Sequence, residues 1–235
     1  MLSARCHIAP LALSCLALAA APALAQQLPP GVTMPQPTEP EIFTLMGQYV
    51  RVGYNNTGYA TLGYRAVQES VGEDWALLEV GLSMRRHTKD YTLKRDDLSI
   101  RIPDGTRVPL ATQSDYAKAG YLRALNMRMR MINDSINYFP VDATQPCPIQ
   151  FFGNPEGAFQ LAYDQVTLNY QRGCVGRLYF HVPGGIKTGQ YWLDIQFPGG
   201  PLQVPFRVLT KEEAKEFEKK WEQIKKMHDE SYEQK

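Results

Sequence analysis

Between Tyr49 and Val208 the chain is a succession of short runs with a two-residue apolar period, punctuated by Gly, Pro, Asn and Asp. Successive side chains of an extended strand point to opposite faces, so this period dictates strands with one buried face. The firmest run is Trp75 to Met84. Ala76, Leu78, Val80, Leu82 and Met84 form one uniformly apolar set, predicted to be buried, and Trp75, Leu77, Glu79, Gly81 and Ser83 form the other. Tyr49 to Val52 and Tyr59 to Val67 predict two earlier strands around a turn at Asn55-Asn56-Thr57-Gly58. Leu93, Leu98, Ile100 and Ile102 carry the pattern to a hairpin turn at Asp104-Gly105. Val166 to Tyr170, Gly176 to Val182, Gly189 to Phe197 and Val204 to Val208 predict the closing strands. In the second of these Leu178, Phe180 and Val182 face inward, and Arg177, Tyr179 and His181 outward. Seven or eight short strands between Gly/Pro turns predict a mainly β chain, an antiparallel β-sandwich spanning residues 41–209.

Two stretches break the strand rhythm. In the first, Tyr121, Leu125, Met129, Ile132 and Ile136 recur at three- and four-residue steps, one helical face, with Ser114 or Asp115 as cap. This predicts a helix of about twenty residues within an insertion around 114–165, followed by irregular chain over 133–148. The second stretch, 210–235, contains neither Gly nor Pro after Thr210, and Thr210 with Glu213 forms a capping box. Ala214, Phe217, Trp221, Ile224 and His228 lie on one face of this charged C-terminal helix. An isolated helix of this length is marginal in water, so the Phe217-Trp221-Ile224 face needs a cover. Its own sandwich, a partner chain or a second copy would each supply one. The polar face is mixed in sign, which disfavours a membrane surface.

The N-terminus reads as a signal peptide: Arg5, an apolar run from Ile8 to Ala21, and Ala23-Leu24-Ala25 as a small-x-small cleavage site. Pro10, Pro22 and the short apolar run argue against a span, so no transmembrane segment is expected in the mature chain. The expected location is the periplasm or the medium. Residues 26–40 are rich in Pro and Gln without an apolar period, a tether or an extended edge segment. Cleavage near Ala25 leaves Cys147 and Cys174, which predict one disulfide in an oxidising compartment. It should link the insertion to the sandwich. Closing a loop of that size contributes about 3–4 kcal/mol in the chain-entropy model.

Reactive constellations are missing from the sequence. Lys plus Arg is 25 and Asp plus Glu 24, which removes any global charge argument for nucleic acid or acidic lipid. His87, His181 and His228 are too few and too scattered for a metal site, and no cofactor motif is present. Asp96-Asp97 is a carboxylate pair, but strand neighbours point apart. No Ser or Cys nucleophile motif occurs, and the expectation is a protein that is not an enzyme. One local bias stands out: residues 85–130 hold eleven basic and five acidic residues. Arg85, Arg86, Lys89, Arg123, Arg128 and Arg130 form a candidate anion-binding patch within it. Tyr49, Tyr54, Tyr59 and Tyr64 crowd one ribbon and Tyr179, Tyr191 and Trp192 another, ring sets that suit glycan or protein recognition.

Two stretches resemble a known class. In Trp75 to Arg107, Leu77, Val80 and Leu82 on the long strand, Leu98 and Ile100 before the hairpin, and the Asp104-Gly105 turn resemble the extracytoplasmic immunoglobulin-like domains of the telokin-like DUF4352 class. In Cys174 to Val208, Gly176, Leu178, Phe180, Val182 and Pro183, then Gly189, Tyr191 and the Val204-Phe206 strand, resemble that class's closing strands. Together they cover about a third of the chain. Arg85 to Asp90 replaces the usual Asn-rich turn, and the 114–165 insertion has no counterpart. The resemblance implies an immunoglobulin-like fold and an envelope location, and no catalytic residue. The expectation is therefore a non-enzymatic structural or interaction protein of the bacterial envelope, binding another envelope protein or itself. The alternative is a carbohydrate- or cell-wall-binding module.

Overall fold

The computed structural model describes residues 49–119, 125–127, 136, 138–153 and 161–233, with the side chains of 224, 225 and 227–233 excepted. The predicted signal peptide, the 26–40 segment and Tyr121, Met129 and Ile132 of the predicted helical stripe lie outside these residues.

The chain is mixed β and α, with strands dominant, helical segments inserted between them and a long helix at its C-terminal end. Eleven strands form three sheets among the described residues. The first sheet runs β1 (Val50–Tyr54), β2 (Gly58–Gly63), β3 (Trp75–Met84), β9 (Arg172–His181), β7 (Gln145–Ile149). The second runs β11 (Gly200–Val208), β10 (Gly189–Phe197), β5 (Leu98–Arg101), β6 (Arg107–Pro109). β4 (Tyr91–Lys94) and β8 (Gln165–Leu168) make a separate pair. The first two sheets share one core. The Cα of Gly53 faces Val204, where an added Cβ would lie 3.2 Å from its side chain, and the Tyr64 and Phe206 rings sit 5.6 Å apart. Register carries Ala60, Leu62, Val80 and Leu82 onto this same face, and all are buried. The strict alternation of Tyr191, Leu193, Ile195 and Phe197 is buried as expected.

Five expectations need correction. Every strand pair in the main sheets is antiparallel except β7 with β9, which is parallel. β7 itself falls in the stretch expected to be irregular, because Pro146 and Pro148 argue against a strand. It is an edge strand, and Gln145 N–H donates to Gln171 C=O at 2.8 Å, so the alternating prolines place their missing donors on the open side. The strand expected to reach Val67 ends at Gly63, and Arg65–Gln68 form one helical turn, α1, with Ser70 Oγ donating to Ala66 C=O. The insertion's helix begins earlier than expected: α2 is Gln113–Lys118, capped by Thr112, whose Oγ1 accepts from Asp115 N–H.

The fifth correction concerns β3. Trp75, Leu77 and Ser83, on the face expected to be wet, are buried as well. Trp75 packs beside His181, Ser83 Oγ donates to Asn169 C=O, and the insertion lies over the same face at Gly81. Thr61 Oγ1 donates to the carbonyl of Tyr138, and the Phe139 ring lies over Gly81 and Gly173. An added Cβ at Gly81 would sit 2.7 Å from Phe139. Only glycine lets this ring approach the sheet so closely.

The free edge of β11 is closed off. Gln68 behaves like a piece of strand: its Nε2 donates to Arg207 C=O and its Oε1 accepts from Leu209 N–H, at 2.6 and 2.9 Å. Asn55 Nδ2 donates to Gly200 C=O at the far end, and Pro201 and Pro205 lie between. These are the usual devices against edge-to-edge pairing.

Candidate functional site

The C-terminal helix, α3 (Lys211–Glu233), starts where the capping box places it. Glu213 N–H donates to Thr210 Oγ1 at 3.2 Å, and Glu213 Oε2 accepts from Thr210 N–H at 2.9 Å. Arg207 at the end of β11 adds an ion pair to Glu213 Oε1 at 2.6 Å. The Arg207 hydrogen bond and the Thr210 N–H hold the Glu213 carboxyl below its ordinary pKa. One turn later Phe217 reaches the body: its ring lies 5.6 Å from Tyr49. Tyr49 is a prepared seat, with Tyr64 edge-on at 5.5 Å and the Arg65 guanidinium 4.7 Å from its centroid. Past Phe217 the described side chains are exposed, except for half-buried Trp221. The helix nevertheless continues to Glu233. At 1.5 Å per residue that is roughly 24 Å of helix beyond its last ring contact with the body among the described residues. Of the expected face, Phe217 is thus seated on its own domain, Trp221 stands past that seat, and the Ile224 side chain lies outside the described residues.

Of the candidate anion patch, Arg85, Arg86 and Lys89 are among the described residues. Arg85 lies on the Tyr54 ring at 5.1 Å, and Arg86 is paired with Asp142, which raises its pKa. Lys89 is exposed, and Arg123, Arg128 and Arg130 lie outside the described residues. Other basic residues of the same stretch serve the fold. Arg95 donates to the carbonyls of Phe151 and Ala111, Arg101 pairs with buried Asp194 at 3.1 Å, and Arg107 Nε donates to Ser99 Oγ.

The aromatic sets divide in the same way. Tyr49, Tyr64, Tyr179 and Tyr191 are buried. Tyr54 and Tyr59 are half-buried cross-strand partners with nearly parallel rings 6.4 Å apart. With Arg85 over the Tyr54 ring as well, Tyr54 already has both a cation and a ring as neighbours. His181 is exposed beside Trp75 at 5.2 Å. Asp97 accepts from Tyr91 Oη at 2.9 Å and from Lys94 N–H, closing the single 3-10 turn Arg95–Asp97. Desolvation, with help from that carboxylate, pushes the Tyr91 phenol up to about 12.

Sequence reasoning missed one buried polar network, on the outer face of β9. Tyr179 is not wet: its hydroxyl donates to Asn126 Oδ1 at 2.6 Å, and Arg177 donates to the same oxygen at 3.2 Å and to Glu79 at 3.3 Å. Tyr116 and Phe152 pack against Tyr179 at 4.8 and 5.0 Å. Burial raises both phenols above their ordinary pKa. Nothing in the spacing of Asn126 announced this role, since it rests on a fold-back of the insertion. Arg51 is a cation inside the apolar Val50-Arg51-Val52 strand. It is buried over the Tyr64 ring at 5.0 Å, donates to Val50 C=O, and burial lowers its pKa.

Among the described residues no three His, Cys, Asp or Glu side chains converge to hold a metal, and no helix is long and apolar enough to cross a membrane. No family model, curated protein or solved structure matches the chain.

Proposed function

We propose that the protein is an exported, non-enzymatic structural or interaction protein of the bacterial cell envelope. In this reading the two main sheets make an immunoglobulin-like β-sandwich, akin to the telokin-like DUF4352 class, and α3 is its interaction arm. The observation that carries the reading is the seating of α3. Glu213 and Phe217 fix the first two turns to the body, while Trp221 and the helix beyond it run on past that seat. A helix that is marginal alone is worth extending from an anchored base only if something packs on it. The polar clusters speak for binding over chemistry. Asp97 with Tyr91, and Glu79 with Arg177, Asn126 and Tyr179, direct their groups at one another. The glycan alternative loses its best platform, because Arg85 covers the Tyr54 ring.

Photocrosslinking in cells tests the reading. A photoreactive residue replaces exposed Lys220, which flanks the Phe217-Trp221-Ile224 face, in one full-length variant and exposed Gly105 in another. Protein adducts from position 220 and none from 105, on a chain processed near Ala25, are expected. A chain left unprocessed in the cytoplasm, or no adduct from 220, would remove the proposal.

A further inference from the structure

We infer that the occupant of the α3 arm is α3 of a second copy of this chain, with the two helices antiparallel. The inference rests on the proposed role of α3 as an interaction arm. Ala214, Phe217, Trp221, Ile224, His228 and Ser231 follow one another at alternating steps of three and four. That is the seam of a seven-residue repeat, with Ala214, Trp221 and His228 at a and Phe217, Ile224 and Ser231 at d. α3 is helical over that whole stretch.

The charges beside the seam choose the partner and its direction. Glu218 and Lys225 occupy e, and Glu213, Lys220 and Met227 occupy g. In a parallel pair each g faces the e of the next repeat on the other helix. That would set Glu213 against Glu218 and Lys220 against Lys225, like charges at both contacts. In an antiparallel pair e faces e and g faces g. With Trp221 layered on Ile224 of the second copy, Glu218 faces Lys225 of the second copy, and symmetry makes that contact twice. Lys220 then faces Met227, which is neutral. One register of one orientation therefore satisfies the charged positions, and a copy of the same helix supplies the complement. Glu213 and Phe217 are already engaged by Arg207 and Tyr49, so the pairing is centred farther along, on Trp221 and Ile224.

Light scattering and analytical ultracentrifugation over a concentration series, on protein purified from cells expressing the full chain, test this. The expected result is a concentration-dependent dimer. Glu218→Lys alone and Lys225→Glu alone should each weaken it about tenfold, because an attraction made twice becomes a repulsion made twice. The double variant should recover the original affinity. Glu218 is exposed, and unchanged thermal melting at dilute concentration shows that the variants are folded. Single swaps that tighten the dimer would mean a parallel pair, since each then sets opposite charges against Glu213 or Lys220. That outcome overturns the inference, as does a dimer indifferent to all three variants. A monomer at every concentration also overturns it. In that case adducts from position 220 to a different protein would leave the interaction-arm reading standing, and their absence would remove both.

Discussion

Cys147 and Cys174 are register partners across the parallel β7–β9 pair, bonded to each other with Cα atoms 4.2 Å apart. The disulfide therefore fixes an edge strand to its interior neighbour, and with it the segment that returns from the insertion. β7 is five residues long and paired on one side only, so its hydrogen bonds alone hold it weakly. The Cys147→Ala/Cys174→Ala double variant should lose about 3–4 kcal/mol in denaturant unfolding, by loop-closure entropy. Amide exchange should rise first in β7 and in the Tyr138–Pro140 segment, with β10 and β11 following only at global unfolding. Uniform acceleration across both main sheets would show that the bond does not act locally.

The covering of β3 by the insertion rests on the Gly81–Phe139 contact. Gly81→Ala places a methyl group 2.7 Å from the ring and 3.2 Å from the carbonyl of Ile136. One of them must move, and the expected cost is about 1–3 kcal/mol, as for other overpacked sites. Gly105→Ala, whose added Cβ meets nothing, is the contrasting case, since only its positive φ of 88° is strained there. Equal stability of Gly81→Ala and the parent would mean that Phe139 does not rest on the sheet in solution.

This contact also marks where the sequence stops being legible. Inner faces could be read because burial there follows from each strand's own alternation: Ala76 to Met84, Leu178 to Val182 and Tyr191 to Phe197 all face the core. The Asp104-Gly105 turn and the Thr210–Glu213 box could be read because their partners lie within three residues. The second burial of β3 could not. Trp75 and Leu77 alternate with Glu79 and Ser83 as a wet face should, while the Phe139 ring that lies over Gly81 on that face comes from some sixty positions away. Tyr179 was misplaced for the same reason. β7 was lost to its prolines, whose meaning reverses at an edge. Of the candidate interaction face, the stripe and its cap were legible, whereas the Tyr49 seat under Phe217 needed the fold.

Asn126 holds the insertion's polar contact with β9. It accepts from Tyr179 Oη and from Arg177 in a buried setting. Asn126→Ala strands the buried Tyr179 hydroxyl, while Arg177 keeps Glu79 and reaches water, and an unsatisfied buried group costs about 1–3 kcal/mol. Tyr179→Phe removes that hydroxyl. The double variant should therefore be less destabilised than the sum of the singles, a coupling of about 1 kcal/mol in a double-mutant cycle on denaturant unfolding. Strict additivity would place the two groups apart.

Glu213 makes the seating of α3 sensitive to acid. The Arg207 hydrogen bond and the Thr210 N–H favour its charged form, so its folded pKa lies below the ordinary 4.5. A group with a depressed folded pKa contributes its stabilisation above the unfolded value and loses it as pH falls through the folded one. Protonation also removes the negative charge from the first turn of the helix, where the macrodipole favours it. Helix signal, Trp221 fluorescence and Thr210 amide protection should therefore hold from neutrality down to the ordinary carboxylate range and fall together below it. Glu213→Gln keeps an acceptor for the Thr210 N–H but cannot ionise, so it should weaken the base of the helix at neutral pH and abolish its own acid step. Asp104, also held low by the Thr106 N–H, caps a distant hairpin and should titrate without moving these signals. An acid transition of the same midpoint and size in parent and Glu213→Gln would show that the capping carboxylate does not control the arm.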